Sequence, residues 1–136
     1  MVEMKVVYSG SLHCDLEHGP SKNHIQTDAP KDNNGLGQAF SPTDLVGAAL
    51  ASCVLTTLAI SAEREGLVLA GSEAKVLKEM ITEPIRKIGR FIVELKLPKN
   101  LDEKHRHKFE HIAHTCPVHR SLHPDVKIEM TFNYCL

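Results

Sequence analysis

Tryptophan is absent from the 136 residues, and only two Tyr and four Phe are present. So few aromatic platforms leave little surface on which bases could stack, which argues against nucleic-acid binding. An excess of either charge is also missing: sixteen Lys and Arg stand against seventeen Asp and Glu, a formal net charge of -1. No bulk field therefore draws the chain to nucleic acid or to an anionic membrane. Residues 1–30 show no charged segment followed by an apolar run and a small-residue cleavage site, so a cytoplasmic protein is expected. Repeats, low-complexity runs and linkers are lacking too, and a single domain over residues 1–136 is the natural reading at this length.

What is present is the composition of a folding chain, 42% hydrophobic and 24% charged. Four cysteines in a reducing compartment are not expected to form static disulfides, which leaves metal ligation, redox catalysis or inert burial. Alternation over Val2–Tyr8 and Leu12–Glu17, separated by Ser9 and Gly10, predicts a β-hairpin, with a further strand over Asn23–Asp28. The stretch from Ala29 to Phe40 holds Pro30, Asn33, Asn34, Gly35 and Gly37 and sustains no periodicity, so it reads as a loop.

Ser41-Pro42-Thr43-Asp44 then opens a helix, with a capping hydroxyl, proline in the first turn and a carboxylate three residues on. Gly66 is its expected stop. Leu45–Ala62 carries no charge and is apolar on nearly every side, so neighbours are expected to wrap it. An apolar run of this length also meets the threshold of a membrane span. Ser52, Thr56, Thr57 and Ser61 and the capped ends favour a buried core helix instead. Strands are expected over Leu67–Met80 and Lys87–Leu97, broken at Glu83-Pro84. A second helix starts near Asn100 and Glu103 and carries Leu101, His105, Phe109, Ile112 and Cys116 on one stripe, and a last strand runs over Asp125–Tyr134. The element order argues an α+β fold.

Cys53 lies within the long helix and Cys116 at the end of the second, each on an inward face. A buried free cysteine is most often a small hydrophobe. Two cysteines on facing helices, far apart in sequence, can also meet as a redox pair, and they are not spaced as a metal knuckle. Pro117 places Cys116 where a new turn begins, and free amides there would favour a thiolate. Cys14 and Cys135 read as strand-filling residues with no role assigned.

Ser41-Pro42-Thr43-Asp44-Leu45 leading into Ala48-Ala49-Leu50-Ala51-Ser52-Cys53, with His114-Thr115-Cys116-Pro117-Val118 leading into Ser121-Leu122, resembles the OsmC/Ohr family, the osmotically inducible protein C and organic hydroperoxide resistance proteins. The likeness covers nearly the whole chain. It implies antiparallel sheets packed around long central helices in an intertwined homodimer. It also implies a thiol-dependent peroxidase that reduces organic hydroperoxides, with Cys53 peroxidatic and Cys116 resolving, their disulfide opened by an external dithiol, and no flavin, haem or metal cofactor. An apolar wall from Leu50, Leu55 and Phe109 would suit an organic substrate.

Two residues that support the thiolate in that family differ here. The position of its Glu reads Thr43, beside Asp44, and no Arg precedes Arg64. Candidates for thiolate support are Thr43 and Asp44 themselves, Arg86, Arg90 and Arg120, or Lys22, His24 and Lys31 of the N-terminal region. Two other readings stay open. His111, His114, Cys116, His119 and His123 gather possible zinc ligands, but with a single cysteine and no second anchoring motif. A dimer of the same fold could instead bind a small hydrophobic ligand or sense redox state without catalysis.

Overall fold

Alternation at the N-terminus does produce strands. The computed structural model, which describes residues 1–136, has β1 at Met4–Gly10, β2 at His13–His18 and β3 at His24–Asp28. They form an antiparallel meander in the order β1-β2-β3. Ser11 and Leu12 turn the first hairpin with φ of 54° and 60°, the left-handed pair that matches the twist of the flanking strands. The chain divides into two compact units, Met1–Val46 and Gly47–Leu136.

Within the first unit, the loop after β3 is tied down by Asp28, a buried residue. Its Oδ2 accepts the Gln38 N–H at 3.0 Å and its Oδ1 lies 3.4 Å from His13 Nδ1. A short 3-10 turn at Lys31–Asn33 lies inside this loop. The meander itself is thinly covered: Val6 is 58% exposed, Tyr8 63% and Ile25 54%.

The long helix, α1, spans Pro42–Glu63. Ser41 and Asp44 close its start reciprocally, the Asp44 N–H donating to Ser41 Oγ at 3.1 Å and the Ser41 N–H to Asp44 Oδ2 at 2.8 Å. Two free donors of the first turn are thereby satisfied. At the other end the Gly66 N–H reaches Glu63 O and the Leu67 N–H reaches Ala62 O. Gly66 turns the chain out at φ 71°, which glycine adopts without steric cost.

By length and composition alone α1 is long and apolar enough to cross a membrane. It packs as a core helix on one side only. Gly47, Leu50, Ala51, Val54, Leu58 and Ala62 are buried at helical spacing, whereas Ala48, Ala49, Ser52, Thr56 and Ile60 are exposed. The expectation that neighbours wrap the helix therefore fails within one chain, which has only enough elements to cover one stripe.

In the second unit β4 (Glu73–Ile81), β5 (Lys87–Leu97) and β6 (Lys127–Tyr134) form a sheet in the order β4-β5-β6. β4 starts at Glu73 and not at Leu67, because Gly66 and Gly71, both at positive φ, bend residues 67–72 into a loop. β6 runs parallel to β5, unlike the antiparallel pairs elsewhere. The connection through residues 98–126 carries α2 (Glu103–Ala113) and α3 (Pro117–Ser121), the crossover that a parallel neighbour requires. Phe91, Val93, Leu95 and Leu97 are fully buried on one face of β5. The Phe91 ring lies so close to Gly47 that a Cβ there would sit 2.9 Å from Cε1, so the glycine lets α1 approach the sheet. Asp102, not Asn100, caps α2, accepting the His105 N–H at 2.9 Å. Helices and two small sheets make the α+β fold expected.

Candidate active site: a thiol pair on two helices

Cys53 and Cys116 come together. The Cys53 side chain is near enough to push the Cys116 thiol up, and both thiols are free. Their exposures differ. Cys53 is half-buried, on the margin of α1 between the inward Leu50 and Val54 and the exposed Ser52 and Thr56. The expectation of a deeply buried Cys53 does not hold, because that margin borders the uncovered side of the helix. Cys116 is 0% exposed. Of the two, only Cys53 has appreciable surface in contact with solvent.

The local fold around Cys116 follows from its neighbours. Thr115 ends α2 by bonding Ile112 O through both its N–H and its Oγ1, at 2.8 and 2.7 Å. Cys116 then adopts extended geometry (φ -63°, ψ 146°) as the cap of α3, with Pro117 at the first position. Its Sγ accepts the His119 N–H at 3.3 Å. The amide donors expected at this turn are thus present, but they do not prevail. Burial pushes the Cys116 thiol above its ordinary value, the amides of His119 and Val118 pull it down, and the Cys53 side chain adds to the rise. Removing a thiolate from water outweighs two backbone donors here.

A groove of about 410 Å³ runs along α1 and is lined by Leu55, Thr56, Ala59, Leu69 and Ser72 among others. Thr56 is one helical turn from Cys53. The Ser72 hydroxyl is buried without a hydrogen-bond partner. Of the apolar wall expected from sequence, only Leu55 faces this space, since Leu50 and Phe109 are sealed in the core at 0% exposure.

The candidates for thiolate support are dispersed. Arg90 is held between Glu79 (2.5 Å) and Glu129 (3.2 Å). Strand alternation puts it on the sheet face opposite Phe91 and hence away from α1. Arg86 is exposed between β4 and β5, and Arg120 is exposed on α3. Asp44 takes part in the capping of α1, and Thr43 Oγ1 lies 3.2 Å from Ser41 Oγ. Lys22 binds Glu17 at 2.9 Å and His24 binds Asp15 at 2.8 Å, both within the meander, and Lys31 is exposed in its loop. The zinc candidates do not converge: no group of three or more His, Cys, Asp or Glu side chains is arranged to hold a metal.

Two histidines that sequence weighed only as metal ligands are instead paired. The rings of His114 and His119 meet edge to face, with centroids 5.6 Å apart and planes at 89°. Burial, then the charge of His114, hold the His119 imidazole below its ordinary range. The signal was the placement of a histidine on each side of Cys116, which spacing alone could not separate from a ligand set.

A search of curated proteins finds no match to the chain. Among solved structures, a Psychrobacter arcticus 273-4 protein provisionally assigned to osmotic stress induction and detoxification response is 41% identical, covering 98% of this chain and 96% of that one at a TM-score of 0.93. An organic hydroperoxide resistance protein OsmC from Legionella pneumophila shares the fold at 16% identity and a TM-score of 0.77, over 98% and 96% of the two chains. The organic hydroperoxide resistance protein OhrB of Bacillus subtilis does so at 17% identity and 0.72, over 98% of each. The family model described as OsmC-like protein matches residues 35–131, a span that contains both α1 with Cys53 and the turn of Cys116, and on that match the chain belongs to the OsmC-like family.

Proposed function

We propose that this chain is a thiol-dependent peroxidase that reduces organic hydroperoxides to alcohols. The observation that carries the reading is a pair of free, neighbouring thiols, one partly exposed on a long helix and the other buried. Cys53, as thiolate, attacks the distal peroxide oxygen. The O–O bond breaks, the alkoxide leaves as alcohol with a proton, and Cys53 becomes a sulfenic acid. Cys116 then attacks the Cys53 sulfur, the S–O bond breaks, water leaves and a disulfide forms. An external dithiol restores both thiols, so the cycle needs no flavin, haem or metal.

The apolar groove beside Leu55 and Thr56 supports an organic substrate. The resistance to organic hydroperoxides named for the Legionella and Bacillus proteins supports the same chemistry. The whole chain acts in this reading as one cytoplasmic OsmC-like domain within a homodimer. A second copy would cover the exposed apolar residues of the meander (Val6, Tyr8, Ile25) and of the open side of α1 (Ala48, Ala49, Ile60), the kind of surface that proteins bury against a partner.

The test is consumption of cumene hydroperoxide with dithiothreitol as reductant. The intact chain consumes it, Cys53→Ser abolishes consumption, and Cys116→Ser leaves a sulfenic acid trappable by dimedone on Cys53. The groove also favours a second reading, a dimer that binds a small hydrophobic ligand without catalysis. Unchanged hydroperoxide consumption by Cys53→Ser would overturn the peroxidase and leave that one.

A further inference from the structure

The end of α1 and the start of α2 are joined through one imidazole. His105 Nε2 lies 3.0 Å from Oε2 of Glu65, just past the end of α1, and its Nδ1 lies 2.6 Å from Oδ1 of Asp102, the cap of α2. The same Asp102 oxygen accepts the His105 N–H at 2.9 Å. Oε1 of Glu65 is taken by the Lys108 ammonium. The His105 side chain keeps only 22% of its surface exposed. Beside it lies the fully buried Phe109 ring, with centroids 6.3 Å apart. The imidazole thus has a carboxylate oxygen at each nitrogen and an apolar ring at its side.

A neutral imidazole carries one N–H and one bare nitrogen, whereas an imidazolium donates from both. Only the protonated ring makes both bonds, and the neutral ring sets a lone pair against one of the two carboxylates. Those carboxylates stay charged while an imidazole titrates. The hydrogen bond from Lys108 holds Glu65 below the ordinary carboxylate range, and the His105 amide does the same for Asp102. The other charged groups acting on this cluster are Lys108 itself and Lys104, which acts on Asp102.

We propose that His105 is a proton-operated clasp, closed between Glu65 and Asp102 when its ring is protonated and reduced to a single bond when the ring is neutral. Imidazoles change charge between about pH 5 and 8, so the clasp is whole at the acid end of this range and loosens as pH rises through it. It fastens the two helices on which the inward cysteines depend: α1 holds Cys53, and α2 ends at the turn of Cys116. A loosened clasp lowers the cost of detaching α2, whose Phe109 and Ala113 are buried together with Cys116. A rise in pH thereby favours opening of the helix that precedes the sealed thiol. The clasp involves no oxidant and stands whether or not the chain is a peroxidase.

Hydrogen–deuterium exchange of the peptide spanning residues 101–116 reads this opening. Parent and His105→Gln are compared at the same pH, so that intrinsic exchange rates nearly cancel. Gln keeps a neutral donor and cannot take up a second proton. Partly exposed charge pairs change an equilibrium by roughly one- to fivefold, so at pH 5.5 His105→Gln should exchange about threefold faster than the parent. At pH 8.5, with the clasp loosened in both, the two should agree within about 1.5-fold. Asp102→Asn keeps a cap of equal rank and removes one charge, so its exchange, corrected for intrinsic rates, should change less between the two pH values than the parent's.

A ratio of His105→Gln to parent that is the same at both pH values overturns the clasp, as does one that grows with pH. Should His105→Gln not fold, Asp102→Asn decides. A pH dependence equal to the parent's overturns the clasp, and a smaller one supports it.

Discussion

Gly47→Ala should destabilise the protein although alanine is the better helix former. On an exposed helical surface the exchange stabilises by about 1 kcal/mol, because glycine loses more backbone freedom on folding. At residue 47 the added methyl would sit 2.9 Å from Phe91 Cε1, 3.4 Å from Cδ1 and 3.5 Å from Val76 Cγ1. The first distance is shorter than side chains tolerate, and Phe91 is 0% exposed, so the ring has no open space to swing into. Overpacking of this kind costs about 1–3 kcal/mol, and the propensity gain offsets only part of it. The net expectation is a loss of about 1 kcal/mol, or about 0.5 M in urea midpoint at an m-value of about 2 kcal/mol per molar. Urea unfolding at fixed protein concentration, with the m-value held as a check on the denatured state, reads this directly. The double variant Gly47→Ala with Phe91→Leu should be more stable than the sum of its single changes by at least about 0.5 kcal/mol, since the smaller side chain removes the clash. A higher midpoint for Gly47→Ala with an unchanged m-value would refute the reasoning, and with it the close seating of α1 on β5.

Two further outcomes are expected. Burial holds the Cys116 thiol above its ordinary value, so the unfolded chain ionises first as pH rises. The stability this group contributes is whole below the unfolded value and is lost on the alkaline side, as pH rises through the folded one. Urea midpoints should therefore fall between pH 8 and pH 10 more steeply in the parent than in Cys116→Ala. Equal slopes would contradict the burial argument. Tyr134, also raised by burial and by its bond to Glu110, adds a slope of the same sign that both proteins share. Ser41→Ala removes the hydroxyl that accepts the Asp44 amide at the start of α1 and should cost about 1–2 kcal/mol. Ser41→Asn, which can cap equally well, should recover most of that loss in thermal unfolding, and failure to do so would point away from capping.

Much of this was legible in the residues themselves. The reciprocal bonds of Ser41 and Asp44, the stop at Gly66 and the inward turn of Cys116 follow from local chemistry and periodicity, whereas its nearness to Cys53 stood only as one possibility for two inward-facing cysteines. The parallel direction of β6 was not legible, because alternation fixes which face a side chain takes and says nothing about which way a neighbour runs. Leu67–Ser72 scans as strand, yet the backbone at Gly66 and Gly71 turns it into a loop. The uncovered side of α1 was hidden for another reason: a helix apolar all round reads alike whether neighbours cover every side of it or only one. The state of Cys116 depended on a balance. Position revealed the amide donors, while the opposing burial depended on packing from α1 and the sheet.

The sulfur of Cys116 accepts a hydrogen bond at the head of α3 and, in the proposed cycle, also belongs to the reactive pair, so one atom would serve backbone order and electron traffic together. Any event that alters its charge or bonding is felt first by the amide of His119. The protection of that single N–H against deuterium uptake would then gauge whether the proposed pair is open or joined, without touching either thiol.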